Sequence, residues 1–278
     1  MGIVYKLRKL ILHERPVRLI IAKLLYFTKL CSLFTINRGL YRIYYYPTAI
    51  SIGCFINPAE RKEDEDFLKA YLKPGDVVVD VGANIGNITL TSAALVGNSG
   101  KIISIEPHPV IFKYLSGNIS LNNFTNIDII NIAVSDFNGV IYFSNKACDD
   151  QNEVVKEGNL KVNTMTLDEI LIKSIKSIDL LKIDVEGFEL NVLKGASSIL
   201  DKTKCIYYES EEKHFKKYGY TTGDLIDMLQ SVGFKLFKFE ENKLITIRMP
   251  YVSVENENLL AIKDISNFLS RTNFLIKG

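Results

Sequence analysis

Cysteine and histidine are scarce in this 278-residue chain, and their scarcity excludes two common kinds of site. The four cysteines, Cys31, Cys54, Cys148 and Cys205, lie far apart without a CxxC pair. Neither zinc-ligand spacing nor a disulfide framework is therefore expected. His13, His108 and His214 are too few and too scattered for a multi-histidine metal site, and no metal is assigned. A long uncharged apolar run is also missing. The stretch from Leu19 to Ile36 is interrupted by Lys23 and Lys29, whereas a membrane-spanning helix needs roughly 20 predominantly apolar residues. No small-residue cleavage site follows a clean apolar core, so a cleavable signal peptide is not expected. A reducing, cytosolic compartment fits these absences. Internal repeats and low-complexity tracts are lacking too. So is a basic surface pattern interleaved with aromatics, and no nucleic-acid partner is expected.

What is present is an ordinary globular composition, 47% hydrophobic and 24% charged, enough for one sizeable α/β core with additions. The charge is uneven. Residues 1–46 carry nine Lys or Arg against the single acid Glu14, a net of +8. The remainder has 25 basic residues against 31 acidic ones, a net of −6. Residues 1–58 are read as a basic helical extension, helical to about Tyr46, and residues 59–278 as the main domain. The extension is expected to pack on the body of the protein with its lysines in solvent. The alternative is peripheral contact of residues 1–46 with an anionic membrane, because basic and bulky apolar residues alternate there.

From Asp76 onward strands alternate with helices. Strands are expected at 77–81, 101–105, 127–134, 140–143, 178–185, 205–209, 234–239 and 259–263. Helices are expected at 87–96, 109–122, 166–173, 188–200 and 222–232, and residues 145–162 read as polar and irregular. The repeated β-α order implies a mostly parallel, doubly wound sheet of the Rossmann-like α/β class.

Three motifs carry chemistry. Asp80-Val81-Gly82-Ala83-Asn84-Ile85-Gly86 falls between a strand and a helix, where open α/β sheets bind ligands. Gly82 permits a sharp turn, Gly86 a close approach of the helix start, and Asn84 tolerates left-handed backbone geometry. Glu106 ends the next strand, where an acid accepts hydrogen bonds from a ribose diol in many nucleotide-binding folds. The pair would suit a dinucleotide or another nucleoside ligand. Yet the GxGxxG fingerprint is not met, and Asp80 would repel a pyrophosphate while suiting an ammonium. The third motif, Lys182-Ile183-Asp184-Val185-Glu186-Gly187-Phe188-Glu189, ends a later strand and opens a helix.

With that third motif the chain resembles the FkbM-type methyltransferase family. The resemblance runs from about Asp76 to Phe239. Besides the three motifs it includes Ala133-Val134-Ser135-Asp136 with Gly139, Thr166-Leu167-Asp168, and Leu193-Lys194-Gly195-Ala196. It implies a class I methyltransferase fold and S-adenosylmethionine as cofactor, with transfer usually to oxygen. By that analogy Asp80, Gly82, Asn84 and Gly86 contact the methionyl part, Glu106 the ribose, and Asp136 with Ser135 the adenine amino group. Asp136 reads equally well as an Asx turn into Gly139.

A hydroxyl acceptor must also lose a proton, which requires a nearby base. Asp184 or Glu186 is the expected base, with Lys182 as charge partner. His214, whose ordinary pKa suits neutral pH, is the rival, against a bland reading as a surface residue in the charged run 211–217. Glu189, Glu209 and Glu211 lie nearby in sequence order. The expected acceptor is a sugar, a glycan or another small molecule. An NAD(P)-dependent oxidoreductase and a non-catalytic nucleotide-binding protein of the same fold remain as alternatives.

Overall fold

The computed structural model describes residues 14–28, 30–144, 152–240 and 243–277. The chain opens with helix α1 (Pro16–Phe27), a hairpin of β1 (Thr35–Asn37) and β2 (Arg42–Tyr44), and helices α2 (Ala49–Ile56) and α3 (Lys62–Tyr71). Then β3 (Val77–Val81), α4 (Asn87–Val96), β4 (Lys101–Ile105), α5 (Pro109–Ser120) and β5 (Ile127–Ile130) alternate. A small second sheet follows, made of β6 (Ala133–Val134), β7 (Gly139–Phe143), β8 (Val154–Val155) and β9 (Leu160–Met165). The alternation resumes with α6 (Leu167–Leu171), β10 (Ile178–Ile183), α7 (Glu189–Lys194), α8 (Ser197–Lys202) and β11 (Thr203–Ser210). Last come α9 (Glu212–Lys217), α10 (Thr222–Ser231), β12 (Lys235–Glu240), β13 (Lys243–Thr246), β14 (Glu257–Ile262), α11 (Ile265–Arg271) and β15 (Leu275–Lys277).

The main sheet has nine strands in the order β15-β13-β12-β14-β11-β10-β3-β4-β5. From β5 to β11 all neighbours are parallel, and β14 enters antiparallel between β11 and β12. The central strands bury both faces, as Ile178–Ile183 does at every position, which is why they read as near-continuous apolar runs. The chain proceeds outward from β3 to β4 and β5, then returns to β10 on the other side of β3. That reversal leaves a crevice at the carboxyl ends of β3 and β10, the place where open α/β sheets bind ligands.

Several elements differ from the sequence reading. The extension is not helical to Tyr46. Beyond α1 it becomes a hairpin of β1 and β2, and its residues 1–13 lie outside the described residues. Residues 49–56, in the later part of the extension, form α2, because the Thr48 hydroxyl accepts the Ser51 amide and caps it. The single strand expected over 127–134 is split between two sheets. The irregular stretch 145–162 contains β8 and the start of β9, with 145–151 outside the described residues. The helix expected over 188–200 breaks at Gly195, where a β-carbon would lie 2.0 Å from the Ser135 carbonyl oxygen. Elements β13, α11 and β15 were not anticipated.

The extension is not a separate body. Tyr41, Ile43 and Cys54 share an apolar cluster with Ile85, Leu90 and Ile111 of the sheet domain, and the Tyr46 ring stacks on Tyr114 at 4.1 Å. At the far edge Arg271 lies over the Tyr71 ring and pairs with Asp76 and Asp179, fastening α11 to the start of β3.

Candidate active site

A cleft of about 900 Å³, open to solvent, lies at the carboxyl ends of β3, β4 and β10. It brings together Gly82 and Asn84 from the first motif, Glu106 from the second, and Lys182, Asp184 and Glu186 from the third. Residues scattered over a hundred positions meet there because parallel strands deliver their ends to one edge.

The first wall is a turn built to a tight tolerance. Gly82 has φ +80°, and a β-carbon there would fall 1.8 Å from the Asp184 carbonyl oxygen, so the turn presses directly on the β10 loop. Asn84 adopts the left-handed conformation expected of it, at φ +49°. Gly86 has a different reason from the one its position suggests. It does not line the cleft, and its missing side chain makes room for Leu115, whose Cδ1 would lie 2.7 Å from an added β-carbon.

Asp80 sits beneath the cleft rather than in its wall. It is fully buried, and its Oδ2 accepts the Thr89 hydroxyl at 2.6 Å. Its Oδ1 has no hydrogen-bond partner among the described residues. Burial raises this carboxyl above its ordinary value, opposed by the Lys182 charge and the Thr89 hydroxyl. The cation Asp80 faces in this structure is thus Lys182.

Glu106 is buried but reaches the cleft. Its Oε2 accepts the Asn84 amide at 2.9 Å and its Oε1 the His108 amide at 2.8 Å. These two amides fix the orientation in which the carboxylate meets a ligand. Ser135 and Asp136 lie outside the cleft lining. Asp136 Oδ1 accepts from the Ser135 hydroxyl at 3.0 Å and from Asn191 Nδ2 at 3.3 Å, against α7. A smaller apolar cavity of about 300 Å³ adjoins the cleft instead, lined by Ile105, Pro107, Ile132, Phe143, Val185 and Phe188 among others.

The opposite wall is dense with charge. Lys182 Nζ donates to Asp184 Oδ2 at 2.7 Å, the pairing expected of these two residues. Burial would raise the Asp184 carboxyl, but Lys182 and Arg61 together hold it below its ordinary value. Burial would likewise lower Lys182, and the charges of Asp184 and Asp80 raise it instead. Glu209, at the end of neighbouring β11, is pushed up to about 9 by burial and by the charges of Asp184 and Glu186. It therefore holds a proton at neutral pH and donates it to Asp184, while its Oε1 accepts from Asn256 at 2.5 Å.

Glu189 plays a different part from its neighbours. Fully buried, its Oε1 accepts the amides of Val185 and Gly187, pinning the loop that carries Asp184 and Glu186. Burial lifts it to about 7. His214 is not a solvated surface residue. Its Nδ1 lies 3.6 Å from Glu186 and its Nε2 3.3 Å from Glu211, and burial lowers its pKa. Glu186, Glu209 and His214 each bring a ligand-type atom within 4.8 Å of the others, a grouping able to hold a divalent cation.

Arg61 is the cleft residue that sequence reasoning missed. It stands in the charged run before α3 and in none of the motifs, and only the fold brings its guanidinium to Asp184. A basic pair, Arg61-Lys62, set among acids was the available signal.

Comparisons with known proteins agree with this geometry. The profile of the Methyltransferase FkbM domain matches residues 80–236, more than half of the chain. Hexuronic acid methyltransferase AglP of Haloferax volcanii is 30% identical over 152 residues, which are 52% of this chain and 62% of that protein. The chain thus spans less than two thirds of that relative's length. The 2-O-methyltransferase NoeI of Sinorhizobium fredii is 25% identical over 180 residues, 57% of this chain and 73% of that protein. Among solved structures, methyltransferase FkbM from Methylobacillus flagellatus is 14% identical with a TM-score of 0.44, covering 87% of this chain and 59% of that one. With the profile spanning the turn at Gly82, the acid at Glu106 and the Lys182–Glu189 loop, the chain has the class I methyltransferase fold and belongs to the FkbM methyltransferase family.

Proposed function

We propose that this chain methylates a hydroxyl oxygen of a sugar or glycan, with S-adenosylmethionine as donor and Asp184 as proton acceptor. One observation carries the reading: a single cleft joins a nucleoside-type wall, Gly82 to Glu106, to an ionised carboxylate held between two cations. The relatives named for hexuronic acid and for 2-O-methyl transfer support a sugar acceptor. Family membership favours methyl transfer over the nicotinamide alternative.

The residues present fit the cofactor. Glu106 offers a carboxylate at the cleft, oriented by the Asn84 and His108 amides, to accept from ribose hydroxyls, and the backbone of Gly82 to Asn84 forms the wall beside it. Asp136 is engaged with Ser135 and Asn191, so the apolar residues bordering the cleft, Pro107, Phe143 and Val185, are the better candidates to face the adenine ring. When bound, S-adenosylmethionine supplies an electrophilic methyl carbon on a sulfonium sulfur. The protein's part is to orient the acceptor, exclude water and take up the hydroxyl proton. Asp184 is ionised and fixed by Lys182, so one acceptor position can face a hydroxyl entering from solvent. Glu186, beside it in the cleft, is the second carboxylate within reach of the acceptor.

The test is methyl transfer from labelled donor to a panel of sugars and glycosides by the wild type and Asp184→Asn. Transfer to a sugar hydroxyl is expected, falling by about 10²–10⁴-fold in the variant with the affinity for S-adenosylhomocysteine unchanged. Full turnover by the variant would refute the role of Asp184. Transfer only to nitrogen or carbon acceptors would refute the acceptor class.

A further inference from the structure

Helix α1 is folded inside out relative to an ordinary surface helix. It presents its one buried residue, Ala22, to the protein, and the Tyr45 hydroxyl donates to the Ala22 carbonyl at 3.0 Å. Leu25 joins Ala22 at the interface, but most of its large apolar residues point the other way. Val17, Ile20, Ile21, Leu24 and Phe27 are all exposed, Leu24 by 60% and Phe27 by 77%. Their spacing of three and four places them on one face, opposite Ala22. The helix is not loosely hung: Arg15 Nη1 donates to Asn57 Oδ1 at 2.8 Å and to the Ile56 carbonyl, so the stripe is held outward.

We infer that this stripe is a docking surface for an anionic lipid bilayer, on which α1 lies flat. Charge complementarity selects that occupant. Lys23, exposed, borders the stripe, where it would meet headgroups as the apolar side chains enter the acyl boundary, while Arg18 turns to the body and donates to the Phe55 carbonyl. The sequence of residues 1–46 has a net charge of +8 and the rest of the chain is net negative, so an anionic surface attracts the N-terminal part of the chain in preference to the rest. The stripe also runs on into an apolar groove lined by Tyr26, Phe27, Tyr46, Pro47 and Tyr114. Among the described residues no helix is long and apolar enough to cross a membrane, so the contact is peripheral.

The experiment is flotation of the full chain with vesicles of phosphatidylcholine alone and with about a third phosphatidylserine. The wild type should float with the anionic vesicles, about tenfold less with neutral ones, and progressively less as salt is raised. Leu24→Glu with Phe27→Glu changes only exposed positions. It should lose anionic-vesicle binding about tenfold while melting and S-adenosylhomocysteine affinity stay at wild-type values. Equal flotation of wild type and variant, or none by either, overturns the inference. So does a wild-type dimer that the double substitution converts to monomer without any vesicle binding, because the stripe would then belong to a second copy of the chain.

Discussion

Replacing Glu209 with Gln tests the proton that this site is argued to hold. Glu209 is buried, and burial together with Asp184 and Glu186 pushes its pKa from 4.5 to about 9. Between those values the folded protein carries a proton on Glu209 and the unfolded chain does not. The folded pKa is raised, so the associated stability is fully present below pH 4.5 and is lost as pH climbs toward 9. The loss is about 1.4 kcal/mol per pH unit for one proton. Going from pH 5.5 to 7.5 should therefore cost the wild type about 3 kcal/mol that Glu209→Gln does not lose. The amide keeps the same shape, with an oxygen to accept from Asn256 and an N–H to donate to Asp184. Titrating groups that Glu209 does not feel are common to both proteins and cancel in the difference. Urea unfolding of both at several pH values provides the measurement, and methyl transfer by the variant at neutral pH should stay within about threefold of wild type. Parallel stability curves would refute the reasoning. A slope that appears only after chelation would mean that a cation, not a proton, neutralises the carboxylates.

Glu106→Ala removes two charge-assisted backbone contacts and the acceptor for ribose hydroxyls. Calorimetry should show S-adenosylhomocysteine binding weaker by roughly 10–100-fold, and an unchanged affinity would remove Glu106 from the site. Gly82→Ala drives a methyl group against the Asp184 carbonyl in left-handed backbone and should cost about 2–5 kcal/mol. Gly219→Ala, also at positive φ (+81°) but facing open space, should cost only about 1–2 kcal/mol; equal losses in urea unfolding would refute the close approach. Arg271→Ala leaves Asp76 and Asp179 without their shared guanidinium. It should destabilise the protein by about 3–5 kcal/mol, measured the same way, and a loss under about 1 kcal/mol would make the clasp ornamental.

What could be read from sequence is what local geometry decides. The run at Val77–Val81, the turn at Gly82, the left-handed Asn84 and the strand-end Glu106 all follow from neighbours within a few positions. The Lys182–Asp184 pair is of the same kind, since residues two apart project to one side of a strand. What could not be read depends on partners distant in sequence. Gly86 is small because of Leu115, Arg61 reaches Asp184 from another helix, and Glu209 meets Asp184 because β10 and β11 lie side by side. Helix α1 makes the distinction sharpest. Its period says that two faces differ, but an amphipathic period cannot say which face meets the protein. That choice was made by Tyr45, Arg15 and the small side chain of Ala22. The extension is expected from sequence to pack on the body with its lysines in solvent; the helix does pack there, through Ala22 and Leu25 with Lys23 exposed, yet it also leaves an apolar stripe outward. A helix so firmly fixed, with its apolar stripe exposed, calls for an explanation outside the fold, because among the described residues no packing contact requires Leu24 to be apolar.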